Sequence, residues 1–133
     1  MPLVVDSSVA VSWVIADEDS ELARHALTLA YADGLTGPRV LWYEFRNSLL
    51  VNERRGRLLA SEVERGISVF RDLNPFFFDD HEESRLLELA RQHRLTIYDA
   101  AYLELALRLG QPLATFDRPL ADAARAEGVG VIG

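Results

Sequence analysis

The sequence predicts a single α/β domain, a three-layer α/β/α sandwich around a mainly parallel central sheet. Short apolar runs alternate along the chain with longer segments of helical period, which is the βαβ pattern a parallel sheet requires. No internal repeat, linker or low-complexity tract interrupts that alternation, so residues 1–133 read as one domain. That length is close to the commonest domain size, and a 49 % apolar content is enough for a core without staples.

The elements follow in order. Leu3-Val4-Val5 is a short apolar run and a buried-strand candidate. Asp6-Ser7-Ser8 ends it and caps a helix through Val9 to Ile15. Ser20 to Ala32 has helical spacing, with Leu22, Ala26, Leu29 and Ala30 on one face, and Gly34 stops it. Leu35 to Gly37 reads as a connection, and Pro38 suits the first turn of a long helix reaching Glu53. Leu41, Phe45 and Leu49 share one side of that helix. Ser61-Glu62-Val63-Glu64 has the capping-box pattern and opens a helix toward Leu73. Phe76-Phe77-Phe78 is a compact buried strand, after which Asp80 with Glu83 opens another helix. Thr96 to Leu109 is the clearest amphipathic helix, closed by Gly110. Pro112 to Phe116 reads as a strand, Pro119 to Glu127 as a short helix, and Val129 to Ile132 as an edge strand.

Composition removes several function classes. There is no cysteine, which excludes disulfides, thiolate zinc sites and thiol nucleophiles and suits a reducing, cytoplasmic compartment. All 14 basic residues are arginine, so Schiff-base chemistry and the Walker-A phosphate loop are also excluded. The apolar start at Pro2 to Val5 is too short for a signal peptide, and no later run reaches a membrane span. The formal net charge of −7 argues against a general duplex-DNA binder. It is compatible with a carboxylate cluster that takes up divalent metal.

The positions of four acids are the informative feature. Asp6 directly follows the first apolar strand, and Asp117 directly follows the run ending at Phe116. Ligands of open parallel sheets bind beyond the carboxyl ends of the strands. Glu44 and Asp99 fall in the early turns of expected helices, where the positive end of the helix dipole tolerates negative charge. All four can converge on one edge of the sheet. Hard oxygen ligands of this kind suit Mg²⁺ or Mn²⁺, which can polarise a phosphoryl oxygen and activate water for phosphodiester hydrolysis. Each acid also has a local reading. Asp6 and Asp117 can be helix N-caps, Asp99 the acid of a Thr96 capping box, and Glu44 an exposed first-turn acid.

Four segments then carry a resemblance: Val4-Val5-Asp6-Ser7-Ser8, Tyr43-Glu44-Phe45-Arg46-Asn47-Ser48-Leu49, Thr96-Ile97-Tyr98-Asp99-Ala100-Ala101-Tyr102 and Ala114-Thr115-Phe116-Asp117. In this order, and spanning nearly the whole chain, they resemble the PIN domain of the VapC toxin-ribonuclease kind. The resemblance implies that Asp6, Glu44, Asp99 and Asp117 form the acidic metal site, with Asp6 and Asp99 the most direct ligands. It further implies that Ser8 and Thr115 orient carboxylates or water and that Asn47 supports the site. The implied activity is Mg²⁺- or Mn²⁺-dependent endoribonuclease cleavage of RNA. The implied partners are a VapB-like antitoxin and a second copy of the chain in a homodimer, contacted through apolar faces at Val9 to Ile15 and Val40 to Val51. The absence of lysine departs from the family in leaving only arginines to contact RNA.

Other residues have two readings. Arg54, Arg55 and Arg57 can contact phosphates or simply complete a helix end, and Arg46 and Arg118 can hold a phosphate or pair with neighbouring acids. Trp13, Trp42 and Tyr43 read as core or interface residues more than as base-stacking ones, and His25, His81 and His93 as surface residues. Two other functions compete with ribonuclease: another metal-dependent phosphohydrolase, and a non-catalytic interaction domain whose acids are only caps.

Overall fold

The structure is a computed structural model and describes residues 1–15 and 20–132. Five strands form one sheet in the order β3-β2-β1-β4-β5, and every pairing is parallel. The strands are β1 (Leu3–Val5), β2 (Leu35–Pro38), β3 (Phe76–Phe78), β4 (Leu113–Ala114) and β5 (Val131–Ile132). The helices are α1 (Ser7–Ser12), α2 (Glu21–Asp33), α3 (Arg39–Arg54), α4 (Ala60–Asp72), α5 (Glu83–His93), α6 (Ile97–Leu109) and α7 (Arg118–Ala126). Crossovers through α1 to α4 carry the chain outward from β1 to β2 and β3. Those through α5 to α7 return it to β4 and β5. Right-handed connection puts the two helix groups on opposite faces, which makes the three layers. The expected fold class is therefore present.

β1 sits at the centre because Leu3, Val4 and Val5 are all buried and pair on both sides. Leu41, Phe45 and Leu49 come from one face of α3, and Phe45 stacks on Phe70 of α4 at 4.3 Å between ring centroids. α2 ends where expected. Gly34 adopts a positive φ of 94°, which a side chain would strain, and turns the chain directly into β2.

Several expectations are corrected. Leu35 to Gly37 is no connection but most of β2, paired with β1 and β3. Pro38 ends that strand and sits at the N-cap of α3. Only half of a capping box forms, and two residues earlier than read: α4 begins at Ala60, and the Glu62 carboxylate accepts from the Leu59 N–H at 2.8 Å, while the leucine has no side-chain oxygen to return the bond. Asp80 does not cap α5, which starts at Glu83; it pairs instead with Arg108 of α6. Phe76 is 61 % exposed because β3 is an edge strand. α6 is buried on most sides, and even Glu104 lies inside, held by Arg108 at 2.7 Å. His93 is not a surface residue; its ring nitrogen and the Glu127 carboxylate, both largely buried, are 2.7 Å apart. The apolar faces at Val9 to Ile15 and along α3 are largely spent in the core, through Val9, Ala10, Val11, Ile15, Leu41, Phe45 and Leu49. No helix among the described residues is long and apolar enough to cross a membrane.

Candidate metal centre

Chain order reverses between β1 and β4: β1 leads outward to β2, and the return crossover places β4 on its other side. Such a switch point leaves a crevice beyond the carboxyl ends of the two strands. Asp6 follows β1 directly, and its N–H donates to the Ala114 carbonyl at 3.1 Å, continuing the β1–β4 ladder. The strand before Asp117 is shorter than expected and ends at Ala114. That frees Thr115 to turn its side chain toward Asp6.

Asp6 is buried, and its carboxylate collects three donors. Ser8 Oγ donates to Oδ1 at 2.6 Å, the Val9 N–H donates to Oδ1 at 3.2 Å, and Thr115 Oγ1 donates to Oδ2. Both hydroxyls in turn accept a backbone proton, Ser8 Oγ from Phe116 N–H at 3.0 Å and Thr115 Oγ1 from Asp117 N–H at 2.9 Å. With those amides donating to them, each hydroxyl directs its one proton at Asp6. Burial nevertheless outweighs these donors. It pushes the Asp6 carboxyl up to about 6, with the charge of Asp99 adding to the rise.

The other acids arrive from helix starts. Glu44 lies in the second turn of α3, and Tyr102 Oη donates to its Oε1 at 2.6 Å. Burial raises the Glu44 carboxyl, against the hydrogen bond of Tyr102, and Asp99 raises it further. Asp99 stands in the first turn of α6, where its own N–H donates to Thr96 Oγ1 at 3.1 Å. Its carboxyl is also raised, first by burial and then by the charge of Asp117. Asp117 caps α7 by accepting from the Leu120 N–H at 3.1 Å. Asp99 is thus the electrostatic hub, coupled to each of the other three acids. The capping readings of Asp6 and Asp117 hold as well, and capping leaves oxygen lone pairs to spare.

Ser8 and Thr115 join the network at the positions expected of them. Asn47, on α3 a turn beyond Glu44, is exposed and is not drawn into it. Tyr102 is the residue that sequence reasoning missed, although it stands at helical spacing from Asp99 on α6. Burial first, then the surrounding carboxylates, hold its phenol far above its ordinary range, so it remains a donor to Glu44. Arg46 lies 3.7 Å over the Trp42 ring and donates to the Trp42 carbonyl, so it is held on its own helix. Arg118, next to Asp117, is exposed. Trp13 is structural, donating from Nε1 to the Ala23 carbonyl at 2.9 Å. Tyr43 is 62 % exposed, so it is not a core residue.

Among the described residues no arginine or histidine forms an ion pair with any of the four acids. Nor do three acidic or histidine side chains close into a ready-made ligand cage. Uncompensated hard oxygens in a loose cluster fit Mg²⁺ or Mn²⁺. Mg²⁺ in particular keeps several waters and takes only one or two carboxylates.

Comparison with known proteins gives the fold and the family. A protein of Pyrobaculum aerophilum, PAE2754, has a crystal structure that covers 99 % of this chain and 90 % of its own, with a TM-score of 0.70 at 22 % identity, a likeness of fold. Ribonuclease VapC3 of the same organism is 35 % identical over 128 residues, spanning 92 % of this chain and 94 % of that protein. The PIN domain family model matches residues 3–126, a span holding all four acids, and the chain belongs to the PIN-domain family.

Proposed function

We propose that this protein is a Mg²⁺- or Mn²⁺-dependent endoribonuclease and the toxin of a toxin–antitoxin pair. The observation that carries the reading is the carboxylate cluster at the β1–β4 switch point. Asp6, Glu44 and Asp99 in it are raised by burial and by neighbouring carboxylates, and no side-chain cation among the described residues answers them. The ribonuclease name of the VapC3 relative supports RNA as the substrate.

Asp6 and Asp99 are the principal ligands in this reading, with Glu44 and Asp117 completing the acidic set. A bound divalent cation supplies Lewis-acid polarisation of the scissile phosphoryl group and activation of water. The protein's own part is orientation. Ser8 and Thr115 fix the Asp6 carboxylate in plane, Tyr102 fixes Glu44, and Thr96 fixes the start of α6 and so Asp99. In-line attack of water leaves a 5′-phosphate and a 3′-hydroxyl. Exposed Arg118 is placed in sequence to meet a phosphate flanking Asp117. A VapB-like antitoxin partner, a homodimer and a cytoplasmic site of action belong to the same reading.

The test is cleavage of a structured RNA and of its DNA counterpart with Mg²⁺, with Mn²⁺ and with chelator, followed by analysis of the new 5′ ends. RNA cleavage only with metal, leaving 5′-phosphates, is the expected result. Undiminished cleavage in chelator, or equal cleavage of DNA, overturns it. Co-expression with an antitoxin encoded beside the gene should give a stable, inactive complex.

A further inference from the structure

A cavity of about 220 Å³ opens between the start of α3, the end of β3, α5 and the length of α6; the four acids of the metal centre do not line it, but two of its elements, α3 and α6, also carry Glu44 and Asp99. Its apolar wall includes Val40, Leu86, Ala101 and Leu105. Val40 is one helical turn before Glu44 on α3, and Tyr98, which lines the mouth and is 57 % exposed, directly precedes Asp99. We propose that this pocket receives an unpaired nucleobase of the RNA, next to the scissile phosphate. The proposal rests on the ribonuclease reading and adds to it the site and the chemistry of base recognition.

The size suits a flat ring system: the cavity is below the roughly 300–1,000 Å³ usual for sites that enclose a whole small ligand. The charge excludes a phosphate. Arg39 is engaged by Asp79 at 2.7 Å, and Arg108 by Glu104 at 2.7 Å and by Asp80 at 3.4 Å. Two guanidiniums thus face three carboxylates, with His81 the remaining nitrogen base on the wall. A neutral base entering there meets apolar side chains. At the rim it meets carboxylate lone pairs that can accept from exocyclic amino groups. Both guanidiniums are held near aromatic rings, Arg39 at 5.2 Å from the Phe77 centroid and Arg108 at 5.9 Å from that of Phe78. Tyr98 offers a stacking face at the mouth, as single-stranded RNA readers use. Exposed aromatics also directly precede two other acids in the sequence, Tyr43 before Glu44 and Phe116 before Asp117.

The experiment uses single-stranded oligoribonucleotides that the wild type cuts, each intact or with one abasic residue flanking the cut. Two variants accompany the wild type: Ala101→Met, which narrows the pocket, and Tyr98→Ala, which removes the lip and keeps the test open should the first misfold. Titration with Mn²⁺ alone should be unchanged in both. For the wild type, removing the base at one flanking position should raise KM about tenfold. Ala101→Met and Tyr98→Ala should show that higher KM on intact RNA and respond little to the abasic residue. Equal cleavage of intact and abasic RNA by the wild type overturns the pocket while leaving the nuclease reading intact. So does full abasic sensitivity in both variants. A wild type that cuts no RNA with any metal overturns both.

Discussion

Glu127 and the acids at the sheet edge are both removed from water, and the fold treats them in opposite ways. Glu127 accepts from Arg85 at 2.8 Å and lies 2.7 Å from the His93 ring, and these partners hold its carboxyl below the usual range. Asp6, Glu44 and Asp99 are given hydroxyls and a backbone amide but, among the described residues, no cation, and all three are raised. A carboxylate that serves only to join α5 to α7 is neutralised within the chain. At the sheet edge the hydroxyls orient charge without cancelling it, so its compensation must come from outside. That contrast separates a structural acid from a candidate ligand better than burial does, since both kinds are buried.

The contrast breaks most sharply if the edge acids are dispensable. Asp6→Asn and Asp99→Asn should each bring metal-dependent RNA cleavage below detection while circular dichroism stays native, because the amide keeps the shape and loses the charge. Glu127→Gln should lose stability and keep activity. Appreciable cleavage by either edge variant sinks the ligand assignment.

Next in size is the dependence of stability on pH without metal. Asp6 titrates near 3.8 when unfolded and about 6 when folded, so the native state binds more protons between those values. Its contribution is fully present below about pH 4 and is lost as pH rises through 6. The loss is about 3 kcal/mol and levels off above roughly pH 7. Glu44 and Asp99 add in the same direction. Glu127 runs the other way: its contribution is present above its unfolded pKa and is lost as pH falls through the lowered one. Thermal melts in chelator across pH 4 to 8 should therefore show the Asp6→Asn protein with a shallower decline above pH 4 than the wild type. Mn²⁺ at a hundred times its dissociation constant should restore ~2.7 kcal/mol to the wild type and little to Asp6→Asn/Asp99→Asn. Identical pH profiles for wild type and Asp6→Asn would remove the electrostatic basis of the comparison.

What the sequence disclosed follows the range of the interactions. The central apolar run, the α3 stripe and the four acids at element ends are local patterns, and all were legible. β2 was not, because Leu35-Thr36-Gly37-Pro38 carries a glycine and a proline where an apolar run is looked for. It is a strand only by virtue of β1 and β3 on either side. His93 looked like a surface residue because its partner Glu127 is 34 positions away. The donor to Glu44 was invisible for the same reason, with 58 positions separating it from Tyr102. Convergence of the acids was legible as a possibility of topology; the absence of a countercharge required coordinates.

A smaller effect is expected from the hydroxyls. Thr115→Val keeps shape but removes the donor to Asp6 and the acceptor for the Asp117 N–H. Activity should fall about 10- to 100-fold, the usual cost of losing a group that orients a ligand, and weaker Mn²⁺ binding should accompany it. Unchanged metal affinity would mean that Thr115 only joins β4 to β1.

The smallest effects distinguish two neighbours of Glu44. Tyr102 donates to the carboxylate, whereas Asn47 is a turn away and exposed. Removing the hydroxyl in Tyr102→Phe takes away the one hydrogen bond that lowers the Glu44 carboxyl, so burial and Asp99 should carry its pKa higher still. Two readouts follow, a loss of about tenfold or less in kcat, as expected of one hydrogen bond to a charged group, and an acid limb of the pH–rate profile displaced upward. Asn47→Ala should change kcat by less than about twofold and leave the limb where it is, since surface substitutions without partners are worth only a few tenths of a kcal/mol. If Asn47→Ala matches Tyr102→Phe in both readouts, Asn47 reaches the site when RNA or metal is bound. The Tyr102 hydroxyl seen in the free protein would then be only part of what orients Glu44.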